Sequence, residues 1–328
     1  MQAWLIDDMS RGVPGLRRAE IADPVPAEGE AQLEVHFAGL NPADRYLSEG
    51  QYPAKPPMPH ILGRDGMGTV IAIGPGVSGV KFGQRCTILR SEIGVSRAGT
   101  FAQRVAVPVE SLVTVPPDWT DEQAGSASLV YLTAYQAITQ WPELPARGVV
   151  LVTGASGGVG IASIHLARAM GHTVVALSRD EGKRQKLLDL GAHIAMDPSE
   201  PTWRKQLKDR LAPQRVDLAI DNIGGDLLPQ VIDTLGMNGR VSIVGRLAGP
   251  VPSFNTSTLF FRRIRLGGVG VGTYTPAESQ AAWIEILKLL GRTGARPVVD
   301  KVFPFDELPA AFARLKSGPM GKVVLAVR

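Results

Sequence analysis

Residues 149–160 read VVLVTGASGGVG, an apolar, valine-rich run that enters a turn dense in glycine. A helical pattern follows, with Val159, Ala162, Leu166 and Ala169 on one face. Strand, glycine turn and helix in this order make a phosphate-binding element, because free N–H groups and the helix dipole at a helix N-terminus favour an anion. It is how a dinucleotide-binding fold begins. Gly157 would let the backbone approach a pyrophosphate, and Gly160 would let the helix pack closely on the strand. Ser156, Gly157, Gly158 and Val159 are the expected phosphate contacts. Ala155 stands where G-x-G-x-x-G has its first glycine, so Gly154 and Ala155 must close the turn together. A glycine turn without a ligand is the competing reading, and the strand before it and helix after it weigh against that.

The next strand selects between dinucleotides. NAD-preferring sites usually end it with an acid that holds the ribose 2′-hydroxyl. Here TVVALSR ends at Ser178 and Arg179, with Lys183 one turn on. Arg can grip a 2′-phosphate bidentately. This predicts NADPH as cofactor. A solvated basic face at a helix start is the alternative, and Asp180 is a neighbouring acid that argues the other way.

Three zones must position these groups. Residues 1–118 read as β-rich, with stretches such as AQLEVHFAG, GTVIAIG and TFAQRVAV separated by Pro and Gly turns. Residues 119–263 alternate strand and helix. The strands are VVLVTG, TVVALSR, HIAM, VDLAIDN and GRVSIVG, and the helices include EGKRQKLLDLG, TWRKQLKDRL and LLPQVIDTL. That alternation demands a parallel, doubly wound sheet. In residues 264–328, RLGGVGV adds a sixth strand at the sheet edge, AESQAAWIEILKLLGRTG forms an amphipathic helix, and VVDKVFPF and GKVVLAV return as strands to the first zone.

Composition narrows the function classes. The length of 328 residues predicts about two domains, and a 44% apolar fraction suits a globular protein with a sizeable core. A single cysteine, Cys86, excludes a disulfide framework and a thiolate zinc site, and favours a cytoplasmic, reducing location. The start MQAWLIDDMS lacks a signal pattern, and no apolar run is long enough to span a bilayer. A net charge of +4 without a basic stripe suits an anionic cofactor and does not imply nucleic-acid binding.

Six motifs occur in order: AGLNPAD at 38–44, LGRDGMGTVIAIGPGV at 62–77, GQRC at 83–86, LTAYQAI at 132–138, VTGASGGVG at 152–160 and GKVVL at 321–325. Through them the chain resembles the medium-chain dehydrogenases/reductases, in their zinc-free quinone oxidoreductase branch, over nearly its whole length. The resemblance implies an α/β fold with a Rossmann domain, a GroES-like β-barrel catalytic domain and a cleft between them. It also implies a homodimer, joined by pairing of the edge strand near 265–271.

Zinc-dependent members of the superfamily carry Cys where this chain has Asn41, and Gly-His-Glu where it has Gly63, Arg64 and Asp65. A catalytic zinc needs about three protein ligands. The five histidines, His36, His60, His165, His172 and His193, are scattered, so no metal is expected. Without zinc, alcohol oxidation becomes hard. Reduction of a quinone or α,β-unsaturated carbonyl stays feasible, because conjugation carries the hydride charge onto an oxygen. The resemblance places Asn41 at the vacated ligand position, where its amide could donate to a carbonyl or the nicotinamide. It places Tyr52 where related enoyl-thioester reductases have a tyrosine implicated in proton delivery. Tyr46 and Asp44 would brace the same loop. Tyr52 as a packing residue and Asn41 as a turn residue before Pro42 remain open. Thr133 would open a helix and contact the cofactor, or serve only as a helix cap. Ligands in such sheets bind beyond the carboxyl ends of strands, which adds Asn222, Gly245 and Arg246. Gly268, Val269 and Gly270 lie where the family chain passes the nicotinamide. Asp197 and Pro198 stand near a position where relatives contact the 2′-phosphate.

Two further readings stay open. A 2-enoyl thioester reductase would need an apolar tunnel that Leu259, Phe260 and Phe261 could line. A catalytically weak NADPH-binding protein with a structural or regulatory role is the other, against which the retained Asn41, Tyr52 and phosphate loop argue.

Overall fold

A computed structural model describes residues 1–89, 92–249 and 253–328. It divides into two units, one of Met1–Leu129, Gly272–Ile284 and Arg296–Arg328, the other of Val130–Val271 and Glu285–Ala295.

The first unit begins with β1 (Gln2–Ile6) and β2 (Leu16–Glu20), an antiparallel pair. Then come β3 (Glu30–Gly39), α1 (Pro42–Ser48), β4 (Met67–Ile73), β5 (Arg85–Ile88), β6 (Arg104–Pro108) and β7 (Leu112–Thr114). The central strand is β3, which pairs antiparallel with β4 and β6. Its inward side chains Leu33 and Val35 join Val70, Ile88, Phe101 and Val105 in one core. The helix α2 (Asp121–Thr139) follows. Thr120 opens it with a reciprocal cap: Gln123 N donates to Thr120 Oγ1 at 3.3 Å, and Thr120 N donates to Gln123 Oε1 at 3.1 Å. Asp121 and Glu122 suit the positive end of the dipole. Thr133 therefore lies inside α2. It neither opens nor caps a helix, which corrects that part of the sequence reading.

The second unit holds β8 (Val149–Val152), α3 (Gly158–Ala169), β9 (Thr173–Leu177), α4 (Glu181–Asp189), β10 (Ile194–Met196), α5 (Trp203–Leu211), β11 (Val216–Asp221), α6 (Leu227–Thr234), β12 (Leu235–Ile243), α7 (Ser257–Arg262) and β13 (Arg265–Gly268). The strands form one parallel sheet in the order β10-β9-β8-β11-β12-β13. All four residues of β8 are buried, as expected of a parallel strand covered on both faces. The order reverses between β8 and β11, the switch point at which such sheets bind ligands. β13 is the edge strand anticipated from RLGGVGV.

Last come α8 (Pro276–Thr293), β14 (Val299–Pro304), α9 (Leu308–Lys316) and β15 (Lys322–Ala326). β15 pairs with β3, so the chain end completes the first unit's sheet. The boundary between the units falls within α2 and within α8 rather than in linkers. Among the described residues, no helix is long and apolar enough to cross a membrane.

Candidate functional site

In the second unit the glycine turn leaves α3 uncapped. Gly157 is its N-cap residue, without a side-chain cap, and the first helical bond runs from Ile161 N to Gly157 O at 2.9 Å. The amides of Gly158, Val159 and Gly160 thus have no partner inside the helix. A Cβ on Gly157 would meet only Gly154 O, at 3.5 Å, so that face is open. A Cβ on Gly160 would come within 2.5 Å of the carbonyl oxygens of Gly154 and Ala155. Only glycine fits there. Gly154 adopts φ +55°, a conformation glycine takes without strain. A cradle of backbone donors with glycine-only walls fits a pyrophosphate.

A carboxylate missed in the sequence fastens this cradle. Asp221, fully buried at the end of β11, accepts from Thr153 Oγ1 at 2.7 Å and from Gly224 N at 3.0 Å. Asn222 N in turn donates to Thr153 Oγ1 at 2.9 Å, and Asn222 Nδ2 to Thr153 O at 2.8 Å. Burial raises the Asp221 carboxyl while these donors hold it down. The loops after β8 and β11 are locked together, and the Asn222 amide is committed to that lock. The only sequence signal was an acid closing an apolar run.

Beyond β9, Ser178 is half-buried and Arg179 exposed. Arg184 braces them, donating from Nη1 to Ser178 O and Arg179 O, each at 3.0 Å, and to Asp197 Oδ2 at 3.2 Å. Asp197 is thereby tied to a protein cation. Asp180 accepts from Lys183 N at 2.9 Å and caps α4, so the acid that clouded the cofactor choice is spent on the helix. Gly245 and Arg246 follow the end of β12, and a Cβ on Gly245 would meet Asn222 O at 2.7 Å. Gly268 closes β13 with open space beside it, Val269 N donates to Ile243 O at 3.0 Å, and Gly270 follows. Phe260 and Phe261 are 64% and 72% exposed, with ring centroids 4.4 Å apart and planes tilted by 44°, while Leu259 packs on the unit's core. They do not line a tunnel in this unit. A helix of six residues leaves two consecutive side chains outside.

In the first unit Asn41 and Asp65, which the resemblance sets at zinc-ligand positions, belong to an internal polar chain. Lys322, from β15, donates from Nζ to Asn41 Oδ1 at 2.6 Å, Leu40 O at 2.9 Å and Asp65 Oδ2 at 3.1 Å. Asn41 is 4% exposed, and its Nδ2 donates to Gly39 O at 3.2 Å. Both ends of this amide are engaged inside the fold. These bonds fix the Asn41 side chain between Gly39 and Lys322. The other oxygen of Asp65 accepts from Ser128 Oγ at 2.8 Å. Asp44 accepts from Asn41 N at 2.8 Å, but its Oδ1 is buried without a partner. Burial pushes the Asp44 carboxyl up to about 6, against the pull of Arg64, Asn41 N and Lys322. Next to this chain, Arg64 Nη1 donates to Tyr52 Oη at 3.0 Å, with the guanidinium 5.4 Å from the ring centroid.

These residues do not suit a catalytic zinc. Asn and Arg stand at two of the ligand positions, and Lys322 already places an ammonium between Asn41 and Asp65. Among the described residues, no group of three or more His, Cys, Asp or Glu side chains could hold a metal ion. Burial raises the Cys86 thiol to about 11. His165, stacked on Tyr131 with its Nδ1 2.8 Å from the Tyr131 hydroxyl oxygen, is pushed down to about 4 by burial. Both are core residues.

Comparison with known families agrees with this architecture. A family model described as an alcohol dehydrogenase GroES-like domain matches residues 27–117, and one described as a zinc-binding dehydrogenase matches residues 158–292. The two matches together take in more than half of the chain, which belongs to the medium-chain dehydrogenase/reductase superfamily. It is similar to the quinone oxidoreductase of Lama guanicoe, 29% identical over 315 residues, covering 95% of this chain and 93% of the relative. Among solved structures it resembles an NAD-dependent alcohol dehydrogenase at TM-score 0.90 and 28% identity, covering 100% of both chains. It also resembles a mycobacterial protein solved in complex with NADPH, at TM-score 0.89 and 25% identity, again over 100% of both.

Proposed function

We propose that the protein is an NADPH-dependent reductase of quinones or α,β-unsaturated carbonyls that works without zinc. The observation that carries the reading is the replacement of metal ligands by Asn41 and Arg64, with the Lys322 ammonium seated between Asn41 and Asp65. That arrangement supplies fixed positive charge and hydrogen-bond donors but no Lewis acid, which suits acceptors whose conjugation takes up hydride charge. NADPH, when bound, supplies the hydride.

The chain's own residues then have distinct tasks. The amides of Gly158 and Val159, with Ser156 and Gly157, hold the pyrophosphate at the N-terminus of α3. Ser178, Arg179 and Lys183 receive the 2′-phosphate, favoured by the engagement of Asp180 as a cap and of Asp197 with Arg184. Asn222, Gly245, Arg246, Gly268, Val269, Gly270 and Thr133 line the cofactor's path toward the nicotinamide. Tyr52 returns a proton to the reduced acceptor. The edge strand β13 pairs with its copy in a homodimer.

Steady-state NADPH oxidation with a small quinone, an enone and crotonyl-CoA tests the reading, with NADH in parallel and zinc measured by elemental analysis. The expected result is turnover with a quinone or enone, preference for NADPH, and activity that survives chelation. No turnover with any acceptor would leave a cofactor-binding protein. One tightly held zinc lost together with activity would overturn the zinc-free mechanism.

A further inference from the structure

Among the described residues, Arg64 makes no direct ion pair, although its charge draws down the buried Asp44 carboxyl. Its Nε is buried without a partner. Lys322, by contrast, is matched by Asp65, which is fully buried. The loop that carries both Arg64 and Asp65 is held by close backbone packing. Gly63 sits at φ +103°, where a Cβ would come within 2.5 Å of Thr100 Oγ1. A Cβ on Gly94 would meet Gly63 O at 2.3 Å, and one on Gly99 would meet Leu62 O at 2.3 Å. Thr100 Oγ1 donates to Asp65 O at 2.9 Å. So rigid a loop turns Asp65 inward and fixes Arg64 against Tyr52.

The contact has a direction. Arg64 can only donate, so Tyr52 Oη is the acceptor in the 3.0 Å bond. The phenolic proton is left to point elsewhere. A second result is electrostatic: if Tyr52 gives up that proton, the charge left on its oxygen already faces a guanidinium.

We propose that Arg64 is the positioning residue for proton delivery by Tyr52, orienting the phenol as a donor and holding the tyrosinate that delivery leaves behind. This rests on the reductase reading above, and it names the substrate class: acceptors that must be protonated at carbon, the α,β-unsaturated carbonyls. Bound NADPH would supply a hydride to the β carbon, with the alkene π bond breaking toward the carbonyl to give an enolate and NADP⁺. The enolate's α carbon takes the Tyr52 proton, closing the second C–H bond. The tyrosinate then takes a proton from water. Two electrons and two protons' worth of hydrogen are transferred in all, hydride from NADPH and a proton from Tyr52. Reduced quinones carry their charge on oxygen and exchange protons with water directly, so they need the pair less.

The test is a double-mutant cycle on kcat with an enone, using wild type, Arg64→Met, Tyr52→Phe and the double variant, alongside KM, NADPH affinity by fluorescence and circular dichroism. Arg64→Met is expected to lower kcat about 10²-fold, with KM and NADPH affinity unchanged. The double variant is expected to lose no more than Tyr52→Phe alone, because Arg64 acts through that phenol. Arg64→Lys, which keeps the charge and one donor, should recover part of the loss, and it carries the test if Arg64→Met fails to fold. The same variants should lose less on a quinone. Independent, multiplying losses, or an unchanged kcat in Arg64→Met, would overturn the inference while wild-type turnover keeps the reductase reading. Wild type inert toward every acceptor would overturn the reading itself.

Discussion

The nucleotide loop of the second unit and the polar chain of the first are built on opposite plans. The loop is made of backbone, close in sequence, and it leaves its donors open: α3 begins with amides that nothing in the helix uses. The polar chain is made of side chains, far apart in sequence, and nearly every group in it is already bonded to another part of the protein. Lys322 reaches Asp65 across 257 positions. The first plan suits a ligand that recurs in many proteins and is held by shape. The second suits a site whose charge must be set in advance, and Arg64 and Tyr52 bond to each other beside it.

Variants can break each plan separately. The largest loss of stability should come from Lys322→Met, which strands the buried Asp65 carboxylate. Removing one partner of a buried pair costs about 3–5 kcal/mol. Denaturant unfolding should show that loss, and adding Asp65→Asn should restore most of it. If Lys322→Met were as stable as wild type, the chain would not be the internal scaffold described here. In the other unit, Gly160→Val forces side-chain atoms against two carbonyl oxygens that stand 2.5 Å from the Cβ position. About 3 kcal/mol of destabilisation is expected, together with loss of NADPH binding in calorimetry. Full binding by this variant would remove the glycine-only wall from the account.

A smaller effect distinguishes the two halves of the cofactor. Arg179→Ala should weaken NADPH by about 1.5–3 kcal/mol and NADH by much less, if the bonds to phosphate are charge-assisted. Equal losses would show that Arg179 does not read the 2′-phosphate. The smallest effect is a pH dependence in the polar chain. The Asp44 carboxyl is raised from 3.8 to about 6 in the folded protein, chiefly by burial. Its contribution to stability is therefore complete below pH 3.8 and is lost as pH rises through about 6. Asp44→Asn should gain stability relative to wild type as pH rises from acid to neutral. Parallel stability curves for the two proteins would contradict a strained buried carboxylate at this position.

The contrast also explains what could be read from the chain. The strand, glycine turn and helix at 149–160 are contiguous, so composition and period expose them, and the sheet order follows from the alternation around them. Thr153, Asp221 and Arg184 were not singled out because their partners become neighbours only once the sheet is folded. In the sequence Arg64 reads as a departure from a metal ligand, and Tyr52 as a candidate donor. That one holds the other is a tertiary fact, since neither local spacing nor charge places them 3.0 Å apart. Thr133 was misplaced within α2 for a different reason. The Thr120 and Gln123 cap is legible as T-x-x-Q, and Thr133 lies thirteen residues beyond it, inside the helix that the cap opens. The short α1 was hidden by Pro42, which reads as a turn yet is well placed at the first position of a helix.

In the proposed reaction a side chain of the first unit, rather than a metal, finishes the reduction. The turnover of Tyr52→Phe on one enone and one quinone tests it most directly. A fall in kcat of about 10²- to 10⁴-fold is expected on the enone, with a smaller fall on the quinone and unchanged NADPH affinity. A raised KM with kcat intact would make Tyr52 a packing residue, and an unchanged kcat on both substrates would contradict the claim.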